Sequence, residues 1–221
     1  MQFSKRMDLL ETSVFSTLDE EKQRYLRQGK EVYDFTIGSP NIAPSKEIIQ
    51  ALIDAAKQPQ SYMYALHDID ELRQTVKKWY QTRYEVELDA DTEILSLQGS
   101  QEGLAHIALA IWDEGDIVLI PSPSYPVFAN GPKIAGAEIY EMPMREEHEY
   151  LIQFDEIPKD IARKAKMMII SYPNNPTGAT APDAFYEELI RFAKANDIIV
   201  LHDTAYSTLV FDGVDGRSFL Y

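Results

Sequence analysis

Two polar segments each follow a continuous apolar run, and their residue types can do chemistry. Asn174-Asn175-Pro176-Thr177-Gly178 comes after Met167 to Ile170, and His202-Asp203-Thr204-Ala205-Tyr206 comes after Ile198 to Leu201. As two parallel strands, these runs put the polar groups just past strand C-terminal ends, where open α/β sheets place their ligands. Asp203 offers a carboxylate at a buried strand end, where an unpaired charge is costly. It either meets a cationic partner on a ligand or is capped or salt-bridged within the chain. Tyr206 and Asn175 are donors able to reach one oxygen from two neighbouring strand ends. Asn, Pro and Gly are also turn formers, which accounts for the composition of the first segment but not for its facing a second polar strand end.

Four further groups belong with these. Gln98-Gly99-Ser100-Gln101-Glu102-Gly103 follows Ile94 to Leu97 and opens a helix. The free amides of that helix start, with the Ser100 hydroxyl, form either a seat for phosphate or an ordinary cap. Tyr125, in Pro121-Ser122-Pro123-Ser124-Tyr125-Pro126, is placed to stack on a flat ring or to pack on the core. Gly38, with Ser39 and Pro40, offers backbone groups to a carboxylate or simply reverses the chain, and Tyr64 lies in a loop between helices as a ligand contact or an interface tyrosine. The histidines His67, His106, His148 and His202 show no metal-ligand spacing, so no metal is expected. His202 should point away from Asp203, since strand neighbours alternate sides.

The elements that must position these residues follow from periodicity. Ile94 to Leu97, Ile117 to Ile120, Met167 to Ile170 and Ile198 to Leu201, with a weaker run from Ala137 to Met142, are continuously apolar. That predicts strands covered on both faces, as in a parallel sheet flanked by helices. Crossover helices are predicted over Ser100 to Trp112, Tyr125 to Ala135 and Asp183 to Asn196. Upstream, Met7, Leu10, Val14 and Leu18 predict one helix from near Ser4 to Gly29. A second helix after Pro44 carries Ile48, Ile49, Leu52 and Ala56. A third begins at a capping box of Asp68 and Glu71 and buries Leu72, Val76, Trp79 and Tyr80. Glu146-Glu147-His148-Glu149 reads as a solvated turn rather than a cation site.

At 221 residues, with 45% apolar and 26% charged side chains, the chain can bury a substantial α/β core. Its net charge of -15 repels nucleic acid and anionic membrane surfaces. It contains no cysteine, which excludes disulfides, thiolate metal sites and a cysteine nucleophile. No run reaches membrane-spanning length, and a cytoplasmic location is expected.

In order along the chain, Gly38-x-Pro40, Tyr64, Gly99-Ser100-Gln101, Tyr125, Asn174-Asn175-Pro176-Thr177-Gly178 and Asp203-x-x-Tyr206 resemble the class I and II aminotransferases, fold-type I enzymes of pyridoxal phosphate (PLP). The resemblance implies an aspartate aminotransferase-like large domain with a mainly parallel sheet. It assigns residues 1-45 to an amino-terminal helix and arm of the small domain and dimer contact, and 46-221 to the PLP-binding domain. It implies that Asp203 meets the pyridine nitrogen, Asn175 and Tyr206 the phenolic oxygen, and Tyr125 the ring face. Gly99, Ser100 and Gln101 would hold the phosphate. Gly38, with Asn175, would meet the substrate carboxylate, and Tyr64, with Tyr62 competing, would reach the phosphate across a homodimer interface. The reaction implied is amino transfer from an amino acid to a 2-oxo acid, or carbon-sulfur β-elimination on the same scaffold.

One required part has no match. The last lysine is Lys194, before Asp203. The Schiff-base lysine of the family, and two strands that separate the Ile94 strand from the rest of the sheet, would fall beyond Tyr221. The 221-residue chain alone is therefore expected to be inactive, with a gap in its sheet. A non-catalytic ligand-binding or dimerisation protein is the competing reading.

Overall fold

Four parallel strands stand in the order β2-β1-β3-β4, built from β1 (Ile117–Ser122), β2 (Glu138–Pro143), β3 (Ala165–Ser171) and β4 (Ile199–Asp203). The computed structural model describes residues 3-10, 14-38 and 42-221. Successive residues of β1 and β3 are buried on opposite faces, so an apolar run serves two cores at once. Leu119, Met168 and Ile170 pack with Phe185, Leu189 and Ala193 of helix α7 (Asp183–Asn196). Val118, Ile120, Met167 and Ile169 pack with Leu104 and Ala108 of helix α4 (Ser100–Ile111) and with Val127 and Phe128 of helix α5 (Val127–Ala135). Fully burying each such side chain contributes about 1.5–3 kcal/mol, which is why the central strands rather than the loops fix the sheet.

The predicted strand at Ile94 to Leu97 carries no ladder, and Leu95 is 79% exposed. β4 is likewise an edge, with Ile199 exposed. An apolar groove of about 630 Å³ lies between them, lined by Leu95, Leu97, Leu104, Ile107, Ala110 and Leu201. The composition of the run is that of a buried strand, but a strand is defined by a hydrogen-bonded neighbour, and the described residues provide none.

By its contacts the chain forms two compact units, Met1–Leu10 with Asp70–Tyr221, and Glu11–Ile69. The upstream helices differ from expectation. The first is a 3-10 turn at Lys5–Leu9, then helix α1 (Val14–Arg27), with Leu10 extended. Neither they nor helix α2 (Lys46–Ala56) has a buried residue, so Ile48, Ile49 and Leu52 lie exposed. An amphipathic stripe with no packing partner does not by itself hold a long helix together. Helix α3 (Asp70–Tyr84) starts two residues later than predicted and buries only Tyr84; Val76 and Tyr80 are half-buried, Leu72 and Trp79 exposed. Helix α6 (Lys159–Lys164) was not anticipated. Glu146–His148 form a short 3-10 turn capped by Glu149, and no metal-binding cluster occurs among the described residues. No described helix is long and apolar enough to cross a membrane.

Candidate active site

The turn after β3 is built by Asn174. Its Oδ1 accepts from the Thr177 amide at 3.1 Å and the Thr177 hydroxyl at 2.9 Å. Its carbonyl accepts from the Gly178 N–H at 2.8 Å, and its own N–H donates to the Ala179 carbonyl at 2.9 Å. Asn174 thus builds the turn through its Oδ1 and backbone, its Nδ2 staying buried without a partner among the described residues, and the half-buried Asn175 reaches toward the β4 end. The Asn175 Nδ2 lies 3.4 Å from the Tyr206 hydroxyl.

Asp203 ends β4 opposite Ser171 of β3. Its carboxylate accepts from the Ala205 amide at 3.2 Å and forms no ion pair among the described residues. Burial pushes its pKa up, and the Ala205 bond offsets this only in part. Of the alternatives open at the sequence level, an internal salt bridge does not form among the described residues, while the Ala205 amide contact is a local cap that leaves the rest of the carboxylate open to a ligand. The segment after Tyr206 is fixed by a buried contact of 3.2 Å between the Tyr84 and Ser207 hydroxyls. Gly216 closes over it, and a Cβ there would fall 1.8 Å from the Ser207 carbonyl oxygen.

Gly99 caps α4 with φ +86°, a conformation a side chain would strain. The Glu102 carboxylate turns back to accept from the Gln98 amide at 2.7 Å, and the α4 start faces the strand ends with Ser100 and Gln101. The Gln101 side chain accepts from the Tyr125 hydroxyl at 2.9 Å, and the Tyr125 ring stands edge-on to Phe128.

A cavity of about 210 Å³ is lined by Ser100, Gln101, Leu104, Tyr125, Asn175, Asp203, Ala205 and Tyr206. Six of these were singled out from the sequence. Leu104 and Ala205 were missed, although Leu104 lies one helical turn after Ser100 and Ala205 lies between two chosen residues. Gly99 is not in the lining; it shapes the α4 start. Gly38 and Tyr64 belong to the other compact unit and are both exposed, while Ser39, Pro40 and Asn41 lie outside the described residues. The Tyr62 hydroxyl donates to the Ala56 carbonyl at 2.5 Å. Tyr64, 89% exposed, makes no such tie among the described residues.

The family model of class I and II aminotransferases matches residues 30-220. The chain belongs to this family. LL-diaminopimelate aminotransferase of Halothermothrix orenii is 42% identical over the whole chain, and its counterpart from Syntrophobacter fumaroxidans is 41% identical over 98% of it. Among solved structures, substrate-bound BacF of Bacillus subtilis matches all of the chain with TM-score 0.93 and 31% identity. A probable N-succinyldiaminopimelate aminotransferase of Thermus thermophilus matches 94% with TM-score 0.86 and 34% identity. The chain spans only 56–57% of the length of each of these four proteins. Within that span the family fold, a parallel sheet flanked by helices, is the fold described above.

Proposed function

We propose that this chain forms the cofactor-binding face of a PLP-dependent aminotransferase that moves an amino group between an amino acid and a 2-oxo acid. The observation carrying this reading is the single cavity that gathers Ser100, Gln101, Tyr125, Asn175, Asp203 and Tyr206.

The residues fit the group. A half-buried carboxylate with a raised pKa and no cationic partner among the described residues suits a protonated pyridine nitrogen. Two side-chain donors 3.4 Å apart suit a phenolate oxygen between them. A glycine-capped helix start with a serine suits a phosphate, and Tyr125, its hydroxyl tied to Gln101, presents a ring for stacking. When bound, PLP supplies an electron sink for the substrate α-carbon. Asp203 keeps the proton on the ring nitrogen and so maintains that sink. Asn175 and Tyr206 hold negative charge on the phenolic oxygen, and the α4 amides with Ser100 and Gln101 anchor the phosphate.

Gly38 and Asn175 are each assigned to the substrate carboxylate by the family resemblance. Tyr64 reaches the phosphate of a partner copy in a homodimer, which accords with the exposed Tyr64, Met63, Leu66 and Ile69. In this reading residues 1-45 serve the small domain and dimer contact and 46-221 the cofactor domain, in a cytoplasmic enzyme. No lysine lines the cavity among the described residues, and Lys194 is exposed on α7, which packs on the opposite face of the sheet. The 221-residue polypeptide alone is accordingly expected to bind PLP without turnover.

Titration of the purified chain with PLP, followed by fluorescence quenching, tests the reading. Saturable binding that weakens in Ser100→Ala and Asp203→Asn supports it; binding that is absent, or equal in all three proteins, contradicts it. LL-diaminopimelate is the first amino donor to assay in any PLP-loaded form that turns over. Keto acid formation that needs a 2-oxo acid acceptor separates amino transfer from β-elimination.

A further inference from the structure

His202 lies on the sheet face away from the cavity. Its ring tilts against Tyr186 of α7 with centroids 5.6 Å apart and stands edge-on to Phe219 at 6.1 Å. Its Nε2 is 3.1 Å from the Tyr172 carbonyl oxygen. A carbonyl only accepts, so Nε2 carries the hydrogen and Nδ1 is bare. Nδ1 is buried without a partner among the described residues. An acceptor left unmade in this way is a cost that a phenylalanine of similar volume would avoid. Packing alone therefore does not account for a histidine here.

What the histidine adds is its bond. The β3–β4 ladder ends at the Ser171–Asp203 pair. Tyr172 is one residue past that end, and the next residue, Pro173, has no N–H to continue a ladder. The His202 ring extends the tie between the strands by one residue, at the point where one chain departs toward Asn175 and the other toward Asp203 and Tyr206.

We propose that His202 is a positioning residue: through the Tyr172 carbonyl it sets the separation of the strand ends that bring Asn175 and Asp203 to the cavity. Its cofactor-binding consequence rests on the reading of that cavity as a PLP site; the tie itself does not.

The test compares His202→Phe, which keeps the volume and loses the donor, with His202→Gln, whose amide can donate from near the Nε2 position. Hydrogen exchange in the apo chain is read at Asn174, Thr177, Gly178, Ala205 and Ser207. His202→Phe should exchange about tenfold faster there, with the Ile169 amide unchanged, and His202→Gln should stay within about threefold of wild type. The PLP dissociation constant should rise about tenfold in His202→Phe and recover in His202→Gln. Unchanged exchange in His202→Phe, or equal acceleration in both variants, overturns the tie. Faster exchange with unaltered PLP affinity overturns the positioning role. A wild-type chain that binds no PLP overturns the reading of the cavity instead, and the exchange data still decide the tie.

Discussion

The Asn175 side-chain amide lies 3.4 Å from the Tyr206 hydroxyl, although the two residues are 31 positions apart and leave different strands. Two donors meeting in this way leave their remaining capacity for one shared acceptor. Asn175→Ala and Tyr206→Phe should each weaken PLP binding by about three- to tenfold. Because they serve one oxygen, the double variant should lose less than the sum. A double-mutant cycle on the dissociation constants measures this, and strict additivity would count against a shared acceptor.

Asp203→Asn should stabilise the apo chain at pH 7 while weakening PLP binding. The Asp203 carboxyl has its folded pKa raised by burial, so the folded state binds the proton more tightly than the unfolded state. Its ionised form is then a cost to folding at any pH above that raised value. A neutral amide removes the cost and also removes the partner of the ring nitrogen. Melting curves of the apo and PLP-saturated proteins check both halves; an apo Tm lowered in Asp203→Asn contradicts the account.

Acid should weaken the fold through His202. Burial holds this imidazole down at about 4, against 6.5 when exposed, so between those values the unfolded chain binds more protons. The stability due to neutral His202 is complete above pH 6.5 and is lost as pH falls toward 4, amounting to roughly 3 kcal/mol at most. The ring's neighbours Tyr172 and Tyr186 have pKa values raised by burial, far above this window. Asp203 acts in the opposite sense near the acid end. Urea unfolding at pH 7, 6 and 5 should therefore show a steeper loss for wild type than for His202→Phe; parallel curves would refute the assignment.

Gly216→Ala should destabilise by about 2 kcal/mol, since its Cβ would meet the Ser207 carbonyl at 1.8 Å. The displacement would reach Tyr206, one residue upstream, so PLP affinity should fall as well. A Tm and an affinity equal to wild type would show that the segment gives way freely.

The parts of this fold written in the sequence are those whose physics is local or self-consistent. Ile117 to Ile120 and Met167 to Ile170 read as strands because each run must satisfy two faces, and α4 and α5 cover one face while α7 covers the other. Ile94 to Leu97 has the same composition, but a ladder needs a neighbour that composition does not reveal. The predicted long first helix and the predicted burial along α3 fail for a related reason: an apolar stripe states that something covers it, not what. At the site, Ser100, Tyr125, Asn175, Asp203 and Tyr206 were legible from residue type at strand and helix ends. The Tyr84–Ser207 contact and the His202–Tyr172 tie were not, because each joins side chains or carbonyls across long sequence separations.

The most direct measurement is a crystal structure of this chain grown with PLP. The account predicts the ring between Tyr125 and the β4 end, its nitrogen within hydrogen-bonding distance of Asp203, its phenolic oxygen between Asn175 and Tyr206, and its phosphate at the α4 start beside Ser100. PLP bound elsewhere, or bound here with the ring nitrogen turned away from Asp203, would contradict it.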